Sequence, residues 1–112
     1  MSINNEAELT GMKKVGEAVA ITLKEMRDYA RPGMTTRELD DYGGGILNEL
    51  GARSAPHLTY NFPGWTCISV NNEIAHGVPS HNRILQDGDL VNIDVSAELN
   101  DFWADNGGSF VL

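Results

Sequence analysis

The sequence predicts an α+β fold, in which two N-terminal helices pack on one face of an antiparallel or mixed sheet that ends in a hairpin. Residues 6–50 carry apolar side chains at helical spacing, whereas short apolar runs separated by proline and glycine follow from residue 53. Residues 90–112 alternate apolar and polar positions on both sides of a turn, which is typical of two half-buried strands.

The first helix is predicted over residues 6–30, where Arg31-Pro32-Gly33 ends it. Its apolar residues recur at intervals of three and four, so they fall on one side of the helix. We expect this side to be buried, and its members are Leu9, Met12, Val15, Val19, Leu23, Met26 and Ala30.

The second helix begins at Thr35-Thr-Arg-Glu38, a capping box, and runs to about Leu50, with Gly51 as its terminator. Gly43-Gly44-Gly45 inside it is unusual, because each glycine costs about 1 kcal/mol relative to alanine. Close helix–sheet packing and a local break are the two explanations. The predicted buried stripe consists of Leu39, Tyr42, Ile46, Leu47 and Leu50.

The second half of the chain reads as strands and turns. Thr66–Val70 is predicted to form a strand and Glu73–His76 a further short one, and Gln86–Asp89 is predicted to turn the chain into the hairpin. Four acidic residues read as turn or surface charges: Asp87, Asp89, Glu98 and Asp101.

Two aspartates, Asp94 and Asp105, are the most informative residues of the hairpin. A two-residue turn at Leu99-Asn100 or Asn100-Asp101 places residues whose numbers sum to an odd total across from each other. Asp94 and Asp105 then share a face as direct or diagonal neighbours, where like charges repel. A bound cation is the simplest reason to keep both, and a solvated polar surface is the alternative.

Composition restricts the function further. The chain has 112 residues, which suits one domain over 1–112, and a net charge of −8, which argues against a nucleic-acid partner. A single cysteine, Cys67, excludes an internal disulfide and fits a reducing compartment. No apolar run approaches the ~20 residues of a membrane span, and the N-terminus does not resemble a signal peptide. We therefore expect a cytoplasmic protein without a membrane partner.

The motifs of the second half, together with the segment between the helices, resemble the N-terminal half of a type I methionine aminopeptidase, a metallopeptidase of the pita-bread fold. The spacing is specific, because His76 lies eighteen residues before Asp94, and Asp105 lies eleven residues after it. The segments that carry the resemblance are Arg31–Asp40, Thr66–Pro79, Asp87–Val95 and Phe102–Asp105.

The resemblance implies a fold, a site and an activity. In that family, two divalent cations (Co, Mn, Fe or Zn) are held by two aspartates, a histidine and two glutamates, and activate water to remove the initiator methionine from nascent chains. Asp94 and Asp105 match the aspartates, with Asp105 bridging the metals. His76 matches a catalytic, substrate-contacting histidine that is not a ligand. The other ligands belong to a C-terminal half, so the chain is expected to hold part of the site.

The substrate side of the site is implied by the same resemblance. Tyr60, Phe62 and Cys67 fall where the family lines the pocket for the methionine side chain, with His76 beside them. An apolar, polarizable lining suits a thioether. Read without the resemblance, Cys67 is a small core residue rather than a nucleophile, because no basic neighbour would lower its pKa.

Two other functions remain open from the sequence. The chain could be a catalytically inactive half-domain that acts as a binding module, or that associates with a second copy through an exposed sheet edge. A related pita-bread enzyme, such as a prolidase or creatine hydrolase, is the alternative enzyme class.

Overall fold

The computed structural model describes residues 6–55, 64–71 and 78–112. Two helices come first and four strands follow, which confirms the α+β prediction. The elements are α1 (Glu6–Tyr29), α2 (Thr36–Glu49), β1 (Arg53–Ser54), β2 (Cys67–Val70), β3 (Leu90–Leu99) and β4 (Phe102–Val111). The short strand predicted at residues 73–76 lies outside the described residues.

The central strand of the sheet is β3. Along one side it pairs with β4 over its whole length, from Leu90 with Val111 to Leu99 with Phe102. Along the other side it pairs first with β2 and then with β1. All three pairings are antiparallel, so the described part of the sheet is antiparallel and not mixed.

The core lies between the apolar face of β3 and the helices. Val91, Ile93, Val95 and Ala97 are fully buried, as are Val15 and Met26 on α1. Burial of one such branched or thioether side chain contributes roughly 1.5–3 kcal/mol. In the described ranges, no helix is both long and apolar enough to cross a membrane.

The apolar side of α1 is buried only from Val15 onward. Leu9 and Met12, which were predicted to be buried with the rest, are 44% and 46% exposed. The helix is 24 residues long, and residues of the core cluster begin at Ala18. The first turns of α1 therefore leave apolar surface uncovered by the described part of the chain.

The capping box predicted at the start of α2 is present. The Glu38 N–H donates to Thr35 Oγ1 at 3.1 Å, and the Thr35 N–H donates to Glu38 Oε1 at 3.3 Å. After the helix, Gly51 has a φ of 77°, which favours glycine. The prediction that Leu50 is buried is wrong: as the C-cap, it lies beyond the last turn and is 38% exposed.

Gly43 and Gly44 reflect close packing, and the glycine triplet is not a break, since α2 is continuous through all three residues. A Cβ at Gly43 would overlap the thioether of Met26 on α1, and a Cβ at Gly44 would overlap the indole of Trp65. Outside its own helix backbone, none of the residues that the structure describes lies within 4 Å of a Cβ built at Gly45. The contacts are thus helix–helix and helix–loop, rather than helix–sheet.

Alanine substitutions at two of these glycines should have opposite effects on stability. Gly45→Ala is expected to raise the free energy of unfolding by about 1 kcal/mol, because helix propensity improves and the space is open. Gly43→Ala should lower it by about 1–2 kcal/mol, because fully buried Met26 must move. Urea denaturation of both variants measures the pair, and equal gains would contradict the packing explanation.

Candidate metal centre

The hairpin turn fixes the register of the candidate site. Leu99 pairs with Phe102, so Asn100 and Asp101 form a two-residue turn. Their φ values are 53° and 70°, as a type I′ turn requires at both positions. Of the two turns that the sequence allowed, the structure has Asn100-Asp101.

This register places the two aspartates on one face of the sheet, as predicted. Asp94 pairs with Gly107, and Asp105 pairs with Ser96, so the aspartates are diagonal neighbours. Such positions lie roughly 7–8 Å apart, so a cation placed between them could bind both carboxylates. Both side chains are exposed, and with Ser96 and Gly107 they line an open recess of about 550 Å³.

Gly107 makes room for the Asp94 carboxylate. A Cβ at this position would overlap Asp94 Oδ1, so the carboxylate occupies the space that any other residue would fill. It therefore leans over β4, the strand that carries Asp105. The sequence prediction did not include Gly107. Its signal was available, because glycine in the interior of a strand often marks close approach of another group.

Cys67 lies beside Asp94 on the other side. It is the register partner of Asp94 in β2 and is half-buried. Burial, and then the charges of Asp94 and Asp40, raise the pKa of the Cys67 thiol above its ordinary value. The thiol is therefore protonated at neutral pH, which agrees with the prediction that it is not a nucleophile.

The other predicted site residues, Tyr60, Phe62 and His76, lie outside the described residues. Within the described ranges, no group of three or more His, Cys, Asp or Glu side chains could hold a metal ion. The structure thus brings together Asp94, Asp105 and the flanking Cys67. The two carboxylates supply hard oxygen donors beside the open space above Gly107. They fit one part of a divalent-cation site, which needs further ligands to bind a cation tightly.

Glu98, on the same face as Asp94, was predicted to be a surface charge, and this is wrong. It is 4% exposed, and its carboxylate accepts from Arg53 Nε at 2.8 Å and from the Asp101 N–H at 2.7 Å. The hydrogen bond from Arg53 and then that from Asp101 lower the pKa of Glu98 below its usual value. This carboxylate joins β1 to β3 and holds the turn that sets the register.

Comparison with known proteins identifies the family. The model of metallopeptidase family M24 matches residues 10–112. The chain belongs to the M24 metallopeptidases. It is 55% identical over all 112 residues to methionine aminopeptidase 2 of Bacillus subtilis strain 168, of which it covers 45%.

Solved structures agree with this assignment. The methionine aminopeptidase of Thermotoga maritima matches with a TM-score of 0.91 at 30% identity, over 100% of this chain and 45% of that one. That of Rickettsia prowazekii matches with a TM-score of 0.87 at 32% identity, over 99% of this chain and 44% of that one. The predicted pita-bread fold is therefore confirmed, and the chain spans less than half the length of these relatives.

The space that Gly107 leaves for the Asp94 carboxylate, here called the Gly107 gap, can be tested with Gly108 as the control. Gly107→Ala should displace the Asp94 carboxylate and weaken Mn²⁺ binding about tenfold, within the range for changes that misplace a metal ligand. Gly108→Ala should leave binding unchanged, because among the described residues its Cβ would meet only Leu23, at 3.8 Å. Mn²⁺ broadening of NMR signals from residues 94 and 105 measures weak binding. Equal affinity in the two variants would contradict the proposed role of the gap.

The Glu98 interaction predicts a pH dependence. An acid whose pKa is lowered by folding stabilises the fold above its unfolded-state pKa, and this contribution is lost as pH falls through the folded-state value. Glu98→Gln removes the titration. The wild type should therefore exceed the variant in stability at pH 7, and the difference should shrink as pH falls below the ordinary value of 4.5. Urea midpoints from pH 7 to 3 measure it, and a constant difference would refute the interaction.

Proposed function

We propose that this chain supplies the aspartate part of a methionine aminopeptidase of type I, an enzyme that removes the initiator methionine from nascent proteins and peptides. The observation that carries the proposal is the placement of Asp94 and Asp105 on one face, with the Asp94 carboxylate seated in the Gly107 gap. The 55% identity to a methionine aminopeptidase supports this activity over that of a prolidase or creatine hydrolase.

In this proposal, Asp94 and Asp105 would be the carboxylate ligands of two divalent cations. Carboxylate oxygens suit Mn²⁺, Fe²⁺, Co²⁺ and Zn²⁺, and the further ligands would come from outside the described residues. When bound, such cations supply an activated water and polarise the scissile carbonyl.

The substrate side of the proposed site begins at Cys67. Its half-buried thiol lies one strand away from Asp94, so a methionine side chain against it would place the adjacent peptide bond near the carboxylates. Tyr60 and Phe62 would complete the apolar lining, and His76 would contact the substrate. Because nascent chains are the substrates, we place the protein in the cytoplasm.

A chimeric enzyme tests the proposal. The segment of the Bacillus subtilis relative that matches this chain is replaced by the 112 residues, and release of methionine from a Met-Ala peptide is measured with Mn²⁺ or Co²⁺. Activity is expected, and Asp105→Ala should lower kcat/KM by about 100-fold or more, because a metal ligand is lost.

The matched control is Asp87→Ala, which removes an exposed carboxylate from the turn before β3. It should leave kcat/KM unchanged. Circular dichroism and thermal melting establish that each chimera is folded. A folded chimera without activity, or full activity in the Asp105 variant, would defeat the proposal.

Self-association is the second candidate function, and β4 favours it. This strand pairs with β3 along one side, and in the described ranges no strand pairs with its other side. A ten-residue strand with a free edge can pair with a second copy. Light scattering of the chain at high concentration distinguishes a dimer from a monomer, and a monomer would eliminate this candidate.

A further inference from the structure

Asp40 is a fully buried carboxylate on α2 that does not line the recess between Asp94 and Asp105. Its Oδ1 accepts from the Thr66 N–H and from Thr66 Oγ1, both at 2.7 Å. The Trp65 N–H donates to both of its oxygens, at 3.2 and 3.0 Å. One side chain thus receives three donors from two consecutive residues that are about 25 positions further along the chain.

The segment that Asp40 holds, residues 64–66, packs closely against α2, Ser54 and Pro79. A Cβ at Gly64 would lie 3.1 Å from Asp40 Oδ2 and 2.9 Å from Pro79. The Trp65 carbonyl accepts from Ser54 Oγ at 2.7 Å, and the Trp65 indole packs on Gly44. The glycines at 44 and 64 therefore let this segment come close enough to α2 to donate hydrogen bonds to the Asp40 carboxylate.

A carboxylate at this place is costly. Burial raises the pKa of Asp40, and the hydrogen bonds from Thr66 and Trp65 only partly oppose this. An apolar contact between a helix and a loop would avoid the desolvation cost. The carboxylate adds directional hydrogen bonds, because its two acceptor oxygens define where the N–H groups of Trp65 and Thr66 must lie.

The position that is defined in this way is the start of β2. Thr66 directly precedes Cys67, and Cys67 is the register partner of Asp94. A shift of Thr66 would move Cys67 while leaving the β3–β4 hairpin, and its aspartates, in place.

We propose that Asp40 is a positioning residue for substrate recognition, which fixes Cys67 relative to Asp94 through its hydrogen bonds to Trp65 and Thr66. The role of Asp40 in substrate binding rests on the proposed function. The anchoring of residues 64–67 by Asp40, independently of the hairpin, does not depend on the proposed function.

The structural content is tested in the full 112-residue chain by amide hydrogen exchange. Asp40→Asn places an NH₂ group against N–H donors, so protection at Trp65, Thr66 and Cys67 should fall by about tenfold or more. Protection in the Asp94 and Asp105 strands, and Mn²⁺ broadening there, should be unchanged. Uniform loss across β3 and β4 would mean a global effect and would overturn the inference.

The catalytic meaning is tested in the chimeric enzyme. Asp40→Asn should raise KM for a Met-Ala peptide about tenfold, with kcat changed by less than about twofold, because binding of the side chain is lost and the metal ligands are not moved. A fall in kcat with KM intact, or unchanged kinetics, would overturn the inference.

The control is Asp41→Asn, the same substitution at the next residue of α2. Asp41 is exposed and forms a 3.5 Å ion pair with Arg37, so both readouts should match the wild type. Where Asp40→Asn does not fold, Thr66→Val removes a single donor to the same carboxylate and should give smaller changes of the same kind. An inactive wild-type chimera with localised exchange changes would refute the proposed function and not the anchor.

Discussion

The register between β3 and β4 is the constraint on which the candidate site depends. A shift by one residue would place Asp94 and Asp105 on opposite faces, because side chains alternate along a strand. The turn at Asn100-Asp101 sets this register through two left-handed residues, and the buried Glu98 carboxylate reinforces it from inside the strand. The helices contribute by covering the apolar face of the sheet. A register shift by one residue would turn apolar side chains of the shifted strand away from the helices and toward solvent.

Two further carboxylates support the elements that carry the site, in addition to the two that line it. Glu98 connects the hairpin to β1, and Asp40 connects α2 to the start of β2. Both are nearly or fully buried, and each has several donors, as a buried charge requires. In the proposed site, the hairpin would position the cation ligands, and the segment before Cys67 would position the substrate-binding side.

Much of this arrangement follows from local sequence signals. The capping box at Thr35, the glycine at position 51 and the hairpin turn each depend on a few consecutive residues, and alternation in the hairpin then places Asp94 and Asp105 together. The features that the sequence did not predict involve distant partners. Glu98 is buried because Arg53, 45 residues away, reaches it, and Asp40 meets Thr66 across 26 residues. Exposure of Leu9 and Met12 likewise depends on which distant parts of the chain cover the first turns of α1.

The thiol of Cys67 beside Asp94 has a consequence for the choice of metal in the laboratory. Soft or borderline ions such as Cd²⁺ bind sulfur in preference to oxygen, so they would be drawn toward β2 and away from the carboxylates. An affinity measured with such an ion would report a sulfur–oxygen chelate of the cysteine rather than the aspartate pair. Hard ions instead prefer the carboxylate oxygens. Alkylation of the one cysteine blocks coordination by sulfur and leaves coordination by the aspartates.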